Sequence, residues 1–109
     1  MTIELSEDNA ELIARRFRAL SDPTRLRIIN RLRRDEEASV GELAEALGGS
    51  QQNISKHLSA LHAEGFVSRR QQGTSAIYSI SDPAVLELCE KVCTGIEAQL
   101  EQIGAALGR

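Results

Sequence analysis

The sequence predicts a small, mainly helical protein with one β-hairpin, arranged as a winged helix-turn-helix of order α-α-α-α-β-β-α. Two observations lead to this prediction. Residues 39–65 have the pattern of two capped helices joined by a Gly-Gly turn, and residues 66–80 have the pattern of two short strands around a glycine-containing loop. Such a helix pair leaves its second helix exposed, in a form that fits the DNA major groove. At 109 residues, the chain has room for one domain, residues 1–109.

The helix pair has clear start and stop signals. The first helix begins at the capping box SVGE at 39–42, where a hydroxyl and a carboxylate each satisfy a backbone N–H. Gly48 can adopt the left-handed conformation that ends this helix, and Ser50 caps the second, which stops before Gly65. The apolar stripe of the second helix, at helical spacing, is Ile54, Leu58 and Leu61.

The other face of the second helix carries short polar groups that can donate and accept hydrogen bonds at base edges, with one cation for phosphate. An ordinary solvated helix would have a similar face, but the adjoining turn and hairpin favour DNA binding. The candidate DNA contacts on this helix are Ser50, Gln51, Gln52, Asn53, Ser55, Lys56, His57 and Ser59.

The hairpin is predicted from strands at 66–70 and 76–80, with Gly73 supplying a positive φ in the loop at 71–75. Basic side chains at its base would reach phosphates or a minor groove beside the second helix. The alternative is that the hairpin only covers the core. This hairpin, residues 66–80, is the wing of the fold, and its candidate DNA contacts are Arg69, Arg70, Gln72 and Thr74.

Three strings along the chain resemble the ArsR/SmtB family of bacterial metal- and stress-responsive repressors. They are LSDPTRLRII at 20–29, ELAEALGGSQQNISKHLSAL at 42–61 and GFVSRRQQGTSAIYSISDP at 65–83. The resemblance covers nearly the whole chain, and the order of its motifs is more specific than any one string. It implies a homodimeric repressor that leaves its operator when an inducer binds. A two-fold symmetric dimer would bind double-stranded DNA at an inverted repeat.

The distribution of charge favours nucleic acid although the net charge is −3. Residues 15–34 carry eight arginines and one acid, a net of +7, and residues 50–81 carry three cations and one acid, a net of +2. The remaining segments are acidic. This asymmetry steers the basic segments toward DNA. We also expect many of the arginines to form ion pairs, with Glu11, Asp35, Glu36 and Glu37 as partners.

Other functional classes lack their sequence signals. There is no glycine-rich phosphate loop, nucleophile elbow or convincing carboxylate pair, so we do not expect an enzyme. The two histidines, His57 and His62, are five residues apart and do not form an i, i+4 metal pair. We expect His57 to pack or to contact phosphate and not to bind a metal. No stretch suits a membrane span or a signal peptide, which predicts a cytoplasmic protein without a membrane partner.

The remaining segments are predicted to join two copies of the chain. Asp-Pro pairs at 22–23 and 82–83 place a cap before a proline at the first helical position, and predict helices over 23–34 and 83–107. The second of these has a heptad-like apolar seam, and an N-terminal helix over 8–20 could pack beside it as a further dimerisation helix. The seam positions are Leu86, Cys89, Cys93, Ile96, Leu100, Ile103 and Leu107.

Both cysteines of the chain, Cys89 and Cys93, fall on this seam one helical turn apart. Their Cβ atoms should lie about 5–6 Å apart, which suits two thiolates holding one soft ion. A disulfide prefers roughly 3.5–4.5 Å between Cβ atoms, so forming one would distort the helix. Either event at a dimer seam could change the spacing of the two recognition helices, the second helix of the helix pair in each copy of the chain. The alternative is that both cysteines pack as small hydrophobic residues.

The resemblance to thiol-using members of the family favours sensing, but the family's familiar metal sites are absent. Where many metal sensors of the family have Cys-x-Cys, the chain has Ser39 and Gly41. Where the zinc sensors have Asp and His, then His and Glu, along the last helix, the chain keeps Asp82 but has Ala84, Gly95 and Ala98. No cofactor is therefore required, and a thiophilic ion such as As(III), Sb(III) or Cd(II) is an optional ligand. Trigonal As(III) or Sb(III) would need a third thiolate, from the partner chain or an external thiol. Reactive sulfur or an oxidant would need only the pair.

Three hypotheses remain open from the sequence. The first is a DNA-binding repressor that senses an inducer through Cys89 and Cys93. The second is a repressor of the same fold with structural cysteines and another inducer or none. The third is a winged-helix module for protein-protein docking, which predicts an apolar patch on the outer face of the second helix. The residues that argue against such a patch are Gln51, Gln52, Ser55 and Lys56.

Overall fold

The computed structural model describes residues 4–106, which form five helices and one three-stranded antiparallel sheet. In chain order the elements are α1 (Glu7–Leu20), α2 (Pro23–Asp35), β1 (Glu37–Ser39), α3 (Val40–Leu47), α4 (Gln51–Ala63), β2 (Val67–Gln72), β3 (Ser75–Ile80) and α5 (Ala84–Ala106). This is the predicted winged helix-turn-helix, with one additional strand. None of the helices within residues 4–106 combines the length and apolar character needed to cross a bilayer.

The additional strand, β1, was absent from the predicted element order. It pairs antiparallel with β3, with Ala38 opposite Tyr78, so the strand order in the sheet is β1-β3-β2. Glu36, at φ 70°, turns the chain between α2 and β1. Neither glutamate nor alanine favours strands, and only the pairing with β3 defines this short element.

The hairpin is longer and its turn tighter than predicted. Strands β2 and β3 remain paired out to Gln72 and Ser75, so the turn is Gly73-Thr74 and not a five-residue loop. Gly73 has φ 62°, the positive value expected of it.

The predicted helix signals are confirmed. Ser39 Oγ accepts a hydrogen bond from the Glu42 N–H at 3.1 Å, and Glu42 Oε1 accepts one from the Ser39 N–H at 3.0 Å. Gly48 adopts the left-handed conformation at φ 75°, and Ser50 Oγ accepts from the Asn53 N–H at 3.1 Å. These caps fix where α3 ends and where α4 begins.

One hydrophobic core joins the helices to the sheet. Helix α5 enters it through Val85 in its first turn, and the first two positions of the predicted seam, Leu86 and Cys89, pack against the core while remaining half-buried. From Val92 onward the large apolar side chains of α5 are exposed, and the predicted position Leu107 lies outside the described residues. The largest fully buried side chains are Ile28, Ile29, Leu32, Leu43, Ile54, Leu58, Leu61, Val67 and Val85.

Within the single chain, α1 and α5 do not pack directly against each other, although α1 was expected to lie beside the last helix. They flank an apolar cavity of about 580 Å³ that also borders α2. Phe17, Leu26 and Val92 line this cavity and are each about half exposed. The single chain therefore presents an apolar surface on α1 and α5.

The N-cap of α2 gives a pH-dependent prediction. Asp22 Oδ1 accepts hydrogen bonds from the Thr24 and Arg25 N–H groups at 2.8 and 3.1 Å. The hydrogen bond from the Arg25 N–H is the main cause that lowers the pKa of Asp22. Burial raises this pKa in part, and the nearby His57 lowers it further. A folded-state pKa below the unfolded value, about 3.9, gives stabilisation that is complete above that value. This stabilisation is lost as the pH falls through the folded-state pKa.

We therefore expect Asp22→Ala to lower the melting temperature near neutral pH, and we expect the difference from wild type to shrink toward about pH 2. Thermal unfolding followed by circular dichroism across this range measures the difference. Glu101→Ala, on the exposed end of α5, is the control. A difference that stays constant down to the acid end would contradict the capping role.

Candidate nucleic-acid interface and sensor cysteines

Helix α4 presents a polar face because its apolar stripe is fixed in the core. Ile54, Leu58 and Leu61 are 0–1% exposed, which turns the opposite side of the helix outward. Ser55, nearer the edge of this face, is half-buried. The exposed candidates are Ser50, Gln51, Gln52, Asn53, Lys56 and Ser59.

An open cleft joins this face to the wing. It has a volume of about 680 Å³ and lies between α4, the start of α3 and the tip of the hairpin. The cleft brings together four of the predicted candidates: Gln51, Gln52, Ser55 and Thr74. The cleft is also lined by Ser39, Gly41 and Ser75, which were not among the predicted contacts. The capping pattern at 39–42 indicated only where α3 begins, not that its first turn borders the recognition face.

Of the two roles expected of His57, packing and phosphate contact, the structure supports packing. This side chain is 9% exposed and faces α2, where its Nδ1 accepts a hydrogen bond from Arg25 Nε at 3.0 Å. Asp22 Oδ1 lies 4.0 Å from the same nitrogen. A buried residue three positions from Ile54 belongs to the inner side of the helix, so His57 packs and does not contact DNA directly.

The two wing arginines have different environments. Arg70 lies beside Glu37 of β1, and its Nη2 donates to both carboxylate oxygens at 2.9 Å, while Nη1 donates to Gln72 Oε1 at 2.6 Å. Arg69 is opposite Tyr78, on the other face of the hairpin, and is exposed. Both members of the Arg70–Glu37 pair are about half exposed, a setting in which an ion pair contributes about 0–1 kcal/mol. A phosphate could therefore replace Glu37 at little cost.

The arginines of α1 and α2 are partly neutralised. Asp35 pairs with Arg31 at 2.6 Å, as expected from the sequence, whereas Arg15 pairs with Glu64 at 2.7 Å. Glu37, an expected partner of this segment, pairs instead with the wing. Among the ion pairs of residues 4–106, none involves Glu11 or Glu36.

The two cysteines also differ. Cys89 is half-buried in the wall of the apolar cavity, and burial raises the pKa of its thiol. Cys93 is exposed, and its Sγ donates to Glu97 Oε1 at 3.7 Å. The sulfur atoms of both cysteines are soft ligands, the kind that a thiophilic ion prefers. However, no group of three or more His, Cys, Asp or Glu side chains in the described part of the chain is arranged to hold a metal ion.

Comparison with known proteins agrees with the fold. A family described as a helix-turn-helix domain matches residues 20–70. The chain is 42% identical over 87 residues to a probable mercury resistance operon repressor of Streptomyces lividans, covering 80% of this chain and 69% of that one. It is 34% identical over 93 residues to a transcriptional repressor SmtB homologue of Synechocystis, covering 85% and 70% of the two chains.

A solved structure is similar over almost the whole length. It is the solution structure of a homodimeric winged helix-turn-helix DNA-binding domain from Mycobacterium bovis, a possible ArsR-family transcriptional regulator. The TM-score is 0.76 at 30% identity, and the match covers 94% of this chain and 95% of that one. The fold, the polar recognition face and these relatives together establish that the chain belongs to the ArsR/SmtB family of winged helix-turn-helix transcriptional regulators, which bind DNA and are not enzymes.

Proposed function

We propose that the protein is a homodimeric repressor that binds an inverted-repeat operator through α4 and the wing, and releases it when an inducer engages Cys89 and Cys93. The main support for DNA binding through α4 and the wing is the cleft that Gln51, Gln52 and Thr74 line together. Polar groups from a helix and a hairpin tip on one side of a domain suit a major groove and its flanking backbone. Such a repressor works in the cytoplasm, where its operator is found.

Two copies are needed for this function. The exposed apolar side chains of α1 and α5 include Phe17 at 52%, Ile96 at 51% and Leu100 at 61% exposure. An apolar surface of this kind favours a protein partner. The similar domain from Mycobacterium bovis is homodimeric, and a second copy of this chain is the simplest partner. Two-fold symmetry would then place two α4 helices on half-sites one helical turn, or a multiple, apart.

For the sensing part, Cys89 and Cys93 lie on the helix that we assign to the dimer interface. One relative is named for mercury resistance, and mercury is a thiophilic metal like the As(III), Sb(III) and Cd(II) considered from the sequence. Two thiols per chain fall short of a trigonal site, so the partner chain or an external thiol would complete it. A ligand that favours a different spacing of the two α5 helices would shift the dimer away from its DNA-binding form.

A second candidate is a repressor of the same fold with structural cysteines. The contact of Cys89 with the core and the raised pKa of its thiol favour this candidate, because a buried neutral thiol packs as a small hydrophobic residue. The exposure of Cys93 favours sensing. Protein-protein docking through the recognition face has less support, because the exposed residues of that face are polar.

The experiment that tests base recognition compares two DNAs. Gln52→Ala and Ser55→Ala should weaken binding to the operator more than binding to random DNA, by about 1–3 kcal/mol for each lost base contact, because base contacts carry the sequence information. Fluorescence anisotropy with both DNAs measures the difference. His62→Ala, at the far end of α4, is the control. Equal losses on both DNAs would move the base-reading site elsewhere.

A second prediction concerns Arg69 and Arg70. Replacing both with alanine should weaken binding on all sequences alike, because their contacts are with phosphate. The slope of log Kd against log salt concentration should fall by about one unit per lost contact. Glu37→Gln leaves Arg70 without its competing carboxylate and serves as the matched variant, with a slope at least as steep as wild type. An unchanged slope in the double alanine variant would show that the wing does not contact DNA.

A further inference from the structure

A polar junction lies under the recognition helix. His57 is the one buried polar side chain of the described residues, and the Arg25 guanidinium holds it from α2. The same guanidinium donates through Nη1 to the Ala19 carbonyl oxygen at the end of α1, at 3.3 Å. Arg25 therefore connects α1, α2 and α4. Since α1 carries part of the proposed dimer surface, the junction lies between that surface and the helix proposed to read DNA.

The hydrogen bond between Arg25 and His57 requires a neutral imidazole. Arginine is always charged and can only donate, so the nitrogen that accepts from it cannot carry a hydrogen. The 3.0 Å contact involves Nδ1, which leaves the ring hydrogen on Nε2. Protonating Nδ1 would remove the acceptor and place two cations in contact.

Two charged groups lie against Nδ1 of His57, one from α2 and one from the residue that caps this helix. They are Arg25, and Asp22, whose Oδ1 lies 4.0 Å from Nδ1. Helix α1 contributes only the uncharged Ala19 carbonyl, through Arg25. A protonated His57 would lose Arg25 and attract Asp22, whose carboxylate already caps the Thr24 and Arg25 amides. The proton would thus change the contacts that hold α4 against α2.

We propose that Arg25 and His57 are positioning residues that hold α4 in its DNA-binding orientation only while His57 is uncharged, so that acidification releases DNA. The proposal rests on the proposed function, because it takes α4 to be the helix that enters DNA. His57 lies on the buried side of α4, whereas Lys56 and Ser59, just before and after it in the chain, lie on the exposed face. A small rotation of the helix at this turn would therefore displace the contacts on the other side.

The chain offers a clean test because it contains only two histidines, His57 and the exposed His62. Histidine side chains ordinarily change charge between about pH 5 and 8. Binding of operator DNA is followed by fluorescence anisotropy from about pH 8 to 5.5, at constant ionic strength with a reducing agent, and circular dichroism monitors the fold. We expect the wild-type affinity to fall about tenfold toward the acid end. His62→Gln should follow the same profile.

Two variants separate positioning from simple packing. In His57→Asn, Oδ1 is bonded to Cγ as Nδ1 is in histidine, so it can accept from Arg25 without titrating; this variant should bind tightly with a flat pH profile. In Arg25→Met the donor is gone, and binding near pH 7.5 should be about as weak as wild type at pH 5.5, with little further change.

Three results would overturn the inference: a flat wild-type profile, a full pH dependence in His57→Asn, or a full pH dependence in Arg25→Met. The Arg25→Met profile decides the question if His57→Asn does not fold. If the wild type does not bind operator DNA even near pH 7.5, the proposed function fails. Binding that is tight but independent of pH leaves the proposed function intact and removes only this inference.

Discussion

Leu100→Glu should convert the protein to a monomer and abolish tight operator binding. Leu100 is 61% exposed in the single chain and lies on the apolar seam of α5. In a dimer its side chain would be buried, and an unpaired carboxylate there would cost several kcal/mol, about 2–7 by analogy with other buried polar groups. A monomer also loses the gain from engaging both half-sites at once, which is worth about 10²–10⁴ in affinity.

Sedimentation equilibrium and DNA titration on the same preparation measure both effects. Gln102→Glu is the matched control, because it adds the same charge two residues along α5, about 200° around the helix from Leu100. The control should remain a dimer and bind the operator. A tight dimer in Leu100→Glu would mean that the seam of α5 is not the interface.

Cys93→Ser should leave a folded repressor that binds the operator but no longer releases it on treatment with a thiol-directed inducer. Cys93 is exposed, so a serine there should not disturb packing. A single remaining thiol cannot chelate an ion as a pair or form an intrachain disulfide. The expected loss of the release response is therefore complete, and the change in stability is small.

Cys89→Ser is the companion variant and should also lose release. Because Cys89 packs against the core, burying a hydroxyl there should in addition destabilise the fold by about 1–3 kcal/mol. Melting temperature and DNA release are measured on both variants with arsenite, antimonite, cadmium, mercuric ion, persulfide and peroxide in separate titrations. Release that persists in both single variants would assign the cysteines to packing and favour the second candidate function.

The helix pair was predictable because its signals are local. The capping box at 39–42, Gly48 and Ser50 each act through hydrogen bonds within a few residues of sequence, and the structure contains all of them. The same holds for the stripe of Ile54, Leu58 and Leu61, whose spacing alone indicates the buried side of α4. These features determine which face of α4 is exposed.

Other features depend on residues distant in sequence, and the sequence did not predict them. Strand β1 exists because Glu37–Ser39 pairs with β3, about forty residues later. His57 lies between Lys56 and Ser59 and looked like another polar contact, but Arg25, 32 positions earlier, binds it from inside. Glu37 likewise reaches Arg70 across 33 positions of sequence. Polar side chains in particular can face either side of an amphipathic helix when a buried partner is available.

Methylation interference on DNA from the region upstream of the gene shows whether the two α4 helices of a dimer read adjacent major grooves. Methyl groups on guanine N7 lie in the major groove and would block a helix inserted there. We predict two clusters of interfering guanines, centred about 10 base pairs or a multiple apart, with weaker interference in the Gln52→Ala variant at the bases that Gln52 contacts. A single cluster, or binding that methylation does not affect, would mean that the two α4 helices do not enter adjacent major grooves.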